Sequence, residues 1–143
     1  MEDQLTLYDG TLEPIRLDRL RRTFEAFTSI GLRAEQEDRL ILCPHFMRED
    51  AAFFGVFDGT VGDHASHFIQ RNIIKHICSC DAIRMGEIFK PEPVDTPTTD
   101  AYAEKIGKTL RDAFLGADSA LIAYCTQNQL HYASSTGVTA FLW

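Results

Sequence analysis

Three carboxylates and one guanidinium, set around two short apolar runs, are the residues of this chain whose types and spacing can do chemistry. Glu37 and Asp38 stand just before Leu40-Ile-Leu-Cys43, and Asp58 stands just after Ala51-Ala-Phe-Phe-Gly-Val-Phe57. Each apolar run reads as a strand. The second lacks clear period-two alternation and is predicted to be covered on both faces. Two strands with acids at the same sheet end bring Glu37, Asp38 and Asp58 together, although Asp38 and Asp58 are 20 residues apart in the chain. Gly59 and Gly62 follow, where a missing side chain lets main-chain groups approach a bound ion or phosphate, and Asp63 can cap the next helix. Arg33 stands close enough in sequence to act as an anion clamp. Hard cations such as Mg²⁺ and Mn²⁺ take oxygen ligands, and a guanidinium forks onto phosphate oxygens, so the set points to metal-assisted phosphate chemistry. Taken alone, Asp58-Gly-Thr-Val-Gly62 reads equally as a strand-turn-helix corner in which Asp58 is only a turn residue.

Arg33 with Glu37-Asp38, then Phe54-Gly-Val-Phe-Asp-Gly59, then Ser135-Thr-Gly-Val-Thr-Ala140 resemble, in order and spacing, the metal-dependent protein phosphatases of the PP2C (PPM) family. The resemblance runs from about Thr23 to the end of the chain. It implies an α+β fold, the α-β-β-α sandwich, with a two-metal Mg²⁺ or Mn²⁺ centre that hydrolyses phosphoserine and phosphothreonine in proteins through a metal-activated water. It further implies that Asp58 bridges the metals, that the Gly59 carbonyl, Asp38 and Glu37 hold them directly or through waters, and that Arg33 binds the substrate phosphate. Asp58 and Asp38 are then the catalytic carboxylates. Two departures stand beside the match. The family continues its Asp-Gly with a histidine where this chain has Thr60, and a threonine is no general acid near neutrality. The family also completes its metal site with aspartates far downstream, whereas this chain stops at Trp143. The expectation is a sandwich incomplete at its C-terminus and an inactive fragment of a phosphatase. The alternative is a non-catalytic pseudophosphatase or protein-binding module.

Other phosphate and metal motifs fit less well. The haloacid dehalogenase signature would put Val56 at the nucleophile position, and a valine forms no phospho-enzyme. An EF-hand loop starting at Asp58 would have Ile69 in place of its bidentate glutamate. His64 and His67, three apart, lack a third ligand at matching spacing and read as surface or cap residues.

The elements that must position these residues follow from the patterning. Phe24, Ala26 and Thr28 alternate with Glu25 and Phe27, a first strand ending at Gly31. Residues 38–43 form the next strand, Pro44 blocks its continuation, and residues 45–50 turn the chain back as an antiparallel hairpin. Ala65, Phe68, Ile69, Ile73, His76 and Ile77 recur at helical spacing over 63–78. Residues 90–100, with three of the five prolines, are an extended loop. From Thr99 or Asp100 the longest helix carries Tyr102, Ile106, Leu110, Ala113, Phe114, Ala117, Leu121 and Tyr124 on one stripe, and residues 134–143 return as a strand.

The 143 residues, 45% hydrophobic and 24% charged, supply the core of one globular domain or part of one. Residues 1–22 read as an N-terminal extension, a solvated tail or helix face, and 23–143 as the N-terminal portion of a phosphatase domain. A net charge of −7 argues against a nucleic-acid surface. Four cysteines without zinc spacing read as reduced core thiols. No secretory leader and no membrane-length apolar run stand out, which gives the expectation of a soluble cytoplasmic or nuclear protein without a membrane partner. Residues 136–143, as an interior strand with a bare edge beside Phe141, Leu142 and Trp143, are expected to mediate self-association.

Overall fold

A computed structural model describes residues 15–17, 22–48, 51–86, 88 and 99–142. The chain divides into two compact units, Met1–Gln70 with Leu130–Trp143, and Arg71–Gln129.

The first unit is built on an antiparallel sheet of three strands in the order β3 (Arg39–Pro44), β4 (Ala52–Phe57) and β7 (Val138–Leu142). The pairing of Arg39 with Phe57 and of Pro44 with Ala52 makes β3 and β4 the hairpin expected from Pro44 and the turn after it. That turn is closed by the Phe46 N–H on the Ala51 carbonyl at 2.9 Å, and Phe46 packs its ring on Phe53 and, edge-on, on Phe141. The β4 strand also pairs with β7, from Ala52 opposite Leu142 to Val56 opposite Val138. Two further short strands, β5 (Gly59–Thr60) and β6 (Ser134–Ser135), pair Gly59 with Ser135. This is the same register carried past a break, and the Thr136 N–H on the Asp58 carbonyl at 2.9 Å bridges it. A single long antiparallel pairing therefore runs from Ala52 to Thr60.

One face of this sheet is the core. Ile41, Cys43, Phe53 and Phe57 alternate onto it and are buried, Phe53 and Phe57 completely. The opposite face is covered unevenly. Ala52 is buried, Phe54 is half-buried under the Phe24 ring at a centroid distance of 4.8 Å, and Val56 is 48% exposed beside Val138 at 71%. The apolar run of β4 thus reflects one closed face and one graded face, and not two closed faces. Strong β-formers fill both, which is why alternation was absent from the sequence.

The chain before this sheet departs from expectation. β1 (Ile15–Leu17) and β2 (Arg22–Phe24) form an antiparallel pair inside what reads as a tail, while residues 1–14 and 18–21 lie outside the described residues. The strand expected over 24–31 ends at Phe24. Exposure still alternates from Phe24 to Thr28, but residues 25–28 join no ladder; Gln36 instead donates its side-chain amide to the Thr28 hydroxyl. Alternating side chains report a wet and a dry side, not a hydrogen-bonded neighbour.

Helix α1 (His64–Ser79) starts in the first unit, where the Gln70 amide donates to the Leu40 carbonyl at 2.7 Å and so ties its second turn to β3. The second unit holds the rest of α1, with Ile73, Ile74 and Ile77 buried, the short α2 (Asp81–Arg84) and the 29-residue α3 (Thr99–Gln127). On α3 the expected stripe is borne out: Ile106, Ala113, Ala117 and Leu121 are buried. The thiol of Cys80, between α1 and α2, points at the Thr109 carbonyl of α3, and Tyr102 donates to the Ile88 carbonyl. Burial raises the pKa of Cys78 and of Cys80, the neighbouring Cys80 adding to the first and Asp112 to the second, which keeps both as thiols. The loop expected over 90–100 falls mostly outside the described residues. No helix among the described residues is long and apolar enough to cross a membrane.

Phe53 is fully buried against the Phe46 ring, so Phe53→Ala should destabilise the chain by about 3–5 kcal/mol through lost burial and a cavity. Urea unfolding followed by circular dichroism measures this, and a change under about 1 kcal/mol would mean that the sheet is not the core.

Candidate active site

The site grows from the ends of β3 and β4. Their register pairs Arg39 with Phe57, and one step further along the same pairing Asp38 lies opposite Asp58. A second step sets Glu37 opposite Gly59, and there the Gly59 N–H donates to the Glu37 carbonyl at 3.2 Å. Directly opposed residues on antiparallel strands have Cβ atoms about 4.5–5.5 Å apart, where two like charges repel. Among the described residues neither the Asp38 nor the Asp58 carboxylate accepts a hydrogen bond or pairs with a cation. Asp58 is exposed at the mouth and Asp38 is half-buried.

Glu37 is placed differently. Its Oε1 accepts the Gly62 N–H at 2.5 Å, and its carbonyl accepts both the Gly59 N–H and the hydroxyl of Ser66, at 2.5 Å. Main chain and side chain of one residue thus hold the turn 59–62. That turn carries backbone strain, with Val61 at φ 59° followed by Gly62 at φ 91°. A β-branched residue in the left-handed region is costly, and the hydrogen bond from the Gly62 N–H to Glu37 Oε1 helps to hold it there. Gly59 has another constraint. A Cβ on it would lie 2.8 Å from each of the Glu37 carbonyl, the Gly62 carbonyl and the Ser66 hydroxyl.

The Arg39 guanidinium ties the same corner from outside. It donates to the carbonyls of Gln36 and Asp38, at 2.7 and 2.8 Å, and pairs with the Asp63 carboxylate. Asp63 precedes α1 as expected, and its carbonyl accepts the His67 N–H at 2.8 Å. Arg33 sits exposed at the end of the turn 30–33, its N–H on the Ile30 carbonyl at 3.1 Å, and its guanidinium has no partner among the described residues. On the other flank the Thr136 hydroxyl stands 3.4 Å from the Asp58 nitrogen. Thr60 is exposed and paired with Ser134. His64 and His67 are exposed on the first turn of α1.

Two opposed carboxylates without a protein donor among the described residues have the donor chemistry of a hard-cation site. The set is partial. Among the described residues no group of three or more His, Cys, Asp or Glu side chains can hold a metal ion. Ser66 and Arg39 were not legible as parts of this corner, since each acts through a neighbour that only the tertiary structure supplies.

No protein-family profile matches the chain. In sequence it is 26% identical over 127 residues to a probable protein phosphatase 2C 22 of Arabidopsis thaliana, an alignment covering 82% of this chain and 28% of that protein. It is 29% identical over 125 residues to a probable protein phosphatase 2C 57 of Oryza sativa subsp. japonica, covering 81% of this chain and 29% of that one. The crystal structure of a serine-threonine phosphatase 2C from Toxoplasma gondii superposes with a TM-score of 0.74 at 39% identity, over 82% of this chain and 38% of that chain. The chain has a PP2C-type fold. As a PP2C-like chain it spans under a third of the length of these curated relatives. The α+β architecture expected from the sequence is borne out by this match.

The steric argument at Gly59 yields a prediction. Gly59→Ala should destabilise the chain by about 1–3 kcal/mol, because two of the three clashing atoms are backbone and cannot swing away. Gly107→Ala, on α3 with nothing within 4 Å of its Cβ, should instead stabilise by up to about 1 kcal/mol. Urea midpoints of the two variants test the contrast, and equal shifts would refute it.

Proposed function

We propose that this chain is part of a Mg²⁺- or Mn²⁺-dependent protein serine/threonine phosphatase and contributes one side of its two-metal centre. The observation that carries this reading is the opposed, donor-free pair Asp38 and Asp58 at the mouth of a PP2C-type sheet. Asp58, Asp38 and the Gly59 carbonyl would hold the ions. Glu37, with one oxygen engaged by Gly62, would act from behind through a water. The ions, when bound, would supply the positive charge that makes water a stronger nucleophile near neutral pH. The exposed, unpaired Arg33 would fork onto two oxygens of a phosphoserine or phosphothreonine and orient the ester for in-line attack. Thr60 offers no acid near neutrality, so the departing alkoxide would not take its proton from this position. Residues 1–22 would be an extension of a phosphatase domain that starts near Thr23. A cytoplasmic or nuclear setting accords with four free thiols.

A second reading, a non-catalytic PP2C-like binding module, is favoured by Thr60 and by the lack of a third metal-holding side chain among the described residues. Metal affinity separates the two. The chain should bind Mn²⁺ weakly, with a millimolar dissociation constant that rises at least several-fold in Asp58→Asn; an affinity unchanged by that substitution would favour the binding module. Assayed alone with Mn²⁺, the chain should hydrolyse an aryl phosphate or a phosphothreonine peptide negligibly, because two free carboxylates do not close a dinuclear centre. Turnover that disappears in Asp58→Asn would overturn this and show that a further carboxylate completes the site.

We also propose that the chain self-associates through β7. No strand among the described residues pairs with the outer edge of β7, and the adjacent Val56 and Val138 are exposed. An open edge beside apolar side chains is a template for strand addition, and each large side chain buried there contributes about 1.5–3 kcal/mol. Sedimentation velocity at low micromolar concentration should show dimers or larger species that dissociate in Val138→Lys. A stable monomer would refute the proposal.

A further inference from the structure

We infer that Ser66 is a positioning residue for the metal-facing carboxylates, acting through the Glu37 carbonyl; the inference rests on the reading of Asp38 and Asp58 given under the proposed function. Ser66 lies in the first turn of α1, is fully buried, and makes no hydrogen bond to Asp38 or Asp58. Its hydroxyl is 2.5 Å from the Glu37 carbonyl and 3.0 Å from the Asp63 carbonyl. The first contact matters because that carbonyl belongs to the peptide joining Glu37 to Asp38. A peptide unit is planar, so fixing its C=O direction fixes the direction in which the Asp38 Cα is launched. The same oxygen receives the Gly59 N–H. One acceptor therefore sets the Asp38 backbone and the Gly59 backbone relative to each other, and both belong to the proposed metal site. With the hydroxyl removed, Gly59 alone would hold a part-buried carbonyl that now accepts two donors, and the Glu37-Asp38 peptide would be free to tilt.

The buried amide of Gln70 provides the control. It sits one turn further along α1, donates to the Leu40 carbonyl, and so ties the same helix to the same strand without touching the 37–38 peptide. If Ser66 merely fastens α1 to β3, then Ser66→Ala and Gln70→Met should behave alike. As a positioning residue, Ser66 should separate from Gln70 in what it moves.

The test compares Mn²⁺ titrations followed by electron paramagnetic resonance with amide hydrogen exchange, on the 143-residue chain and both variants. In Ser66→Ala the Mn²⁺ dissociation constant should rise about tenfold, the size expected when a group supporting a ligand is removed. The Gly59 and Gly62 amides should exchange faster, while the β3–β4 ladder amides stay protected. Gln70→Met should lower the unfolding midpoint without that selective change in Mn²⁺ affinity. Equal loss of affinity in both variants, or exchange rising uniformly across the sheet, would overturn the inference. If the unsubstituted chain binds no Mn²⁺, the proposed function fails on its own, and the exchange of Gly59 and Gly62 still decides for or against Ser66.

Discussion

A single carbonyl oxygen, that of Glu37, is the point on which the corner of this fold depends. It accepts from Gly59 on the neighbouring strand and from Ser66 on the helix, so sheet, turn and helix meet there. Buried main-chain groups that lack partners are costly, and this requirement explains the residue types around the oxygen. Position 59 is held to glycine because the Glu37 and Gly62 carbonyls and the Ser66 hydroxyl come too close for a Cβ. Position 66 must be small and must donate. Arg39, whose side chain is only 22% exposed, then neutralises Asp63 and ties off the carbonyls of Gln36 and Asp38.

Against this closely bonded background the absence of partners on Asp38 and Asp58 stands out. Glu37, Arg39, Gly62, Asp63 and Ser66 each have a donor or an acceptor assigned, and these two exposed or half-buried carboxylates, opposed across the strands, have none among the described residues. Like charges opposed across antiparallel strands repel, and no neighbour among the described residues offsets that here. Val61, in the turn after Asp58, adds a β-branched residue at φ 59°. Phe53, Phe57 and Ile41 are buried and hold the sheet, while Asp38 and Asp58 stand outside that packing.

Much of this was legible in the sequence. The two apolar runs, Pro44 between them and the acids at their ends gave the hairpin and the candidate site, since strand formers, a chain breaker and exposed charge are all local signals. The α3 stripe was equally plain, because helical spacing over 29 residues is hard to produce by chance. What was not legible has one cause. The β1–β2 pair, the early end of the strand at Phe24 and the role of Ser66 depend on which neighbour a residue meets, and a serine at the third position of a helix looks alike whether it faces water or a carbonyl. The graded exposure of Ala52, Phe54 and Val56 was hidden for a related reason: apolar residues occupy both faces whether or not both are covered.

The long pairing of residues 52–60 with 134–142 binds together two stretches that look independent on paper. Val56 faces Val138 and Gly59 faces Ser135 in one uninterrupted count, with Asp58 and Thr136 joined at the break. A strand shifted by one residue turns every side chain to the other face. An insertion or deletion between Phe57 and Thr60 would therefore be tolerated only with a matching change between Ser134 and Val138. The two motifs form one heritable unit, 78 residues apart in the chain, whose lengths can drift only together.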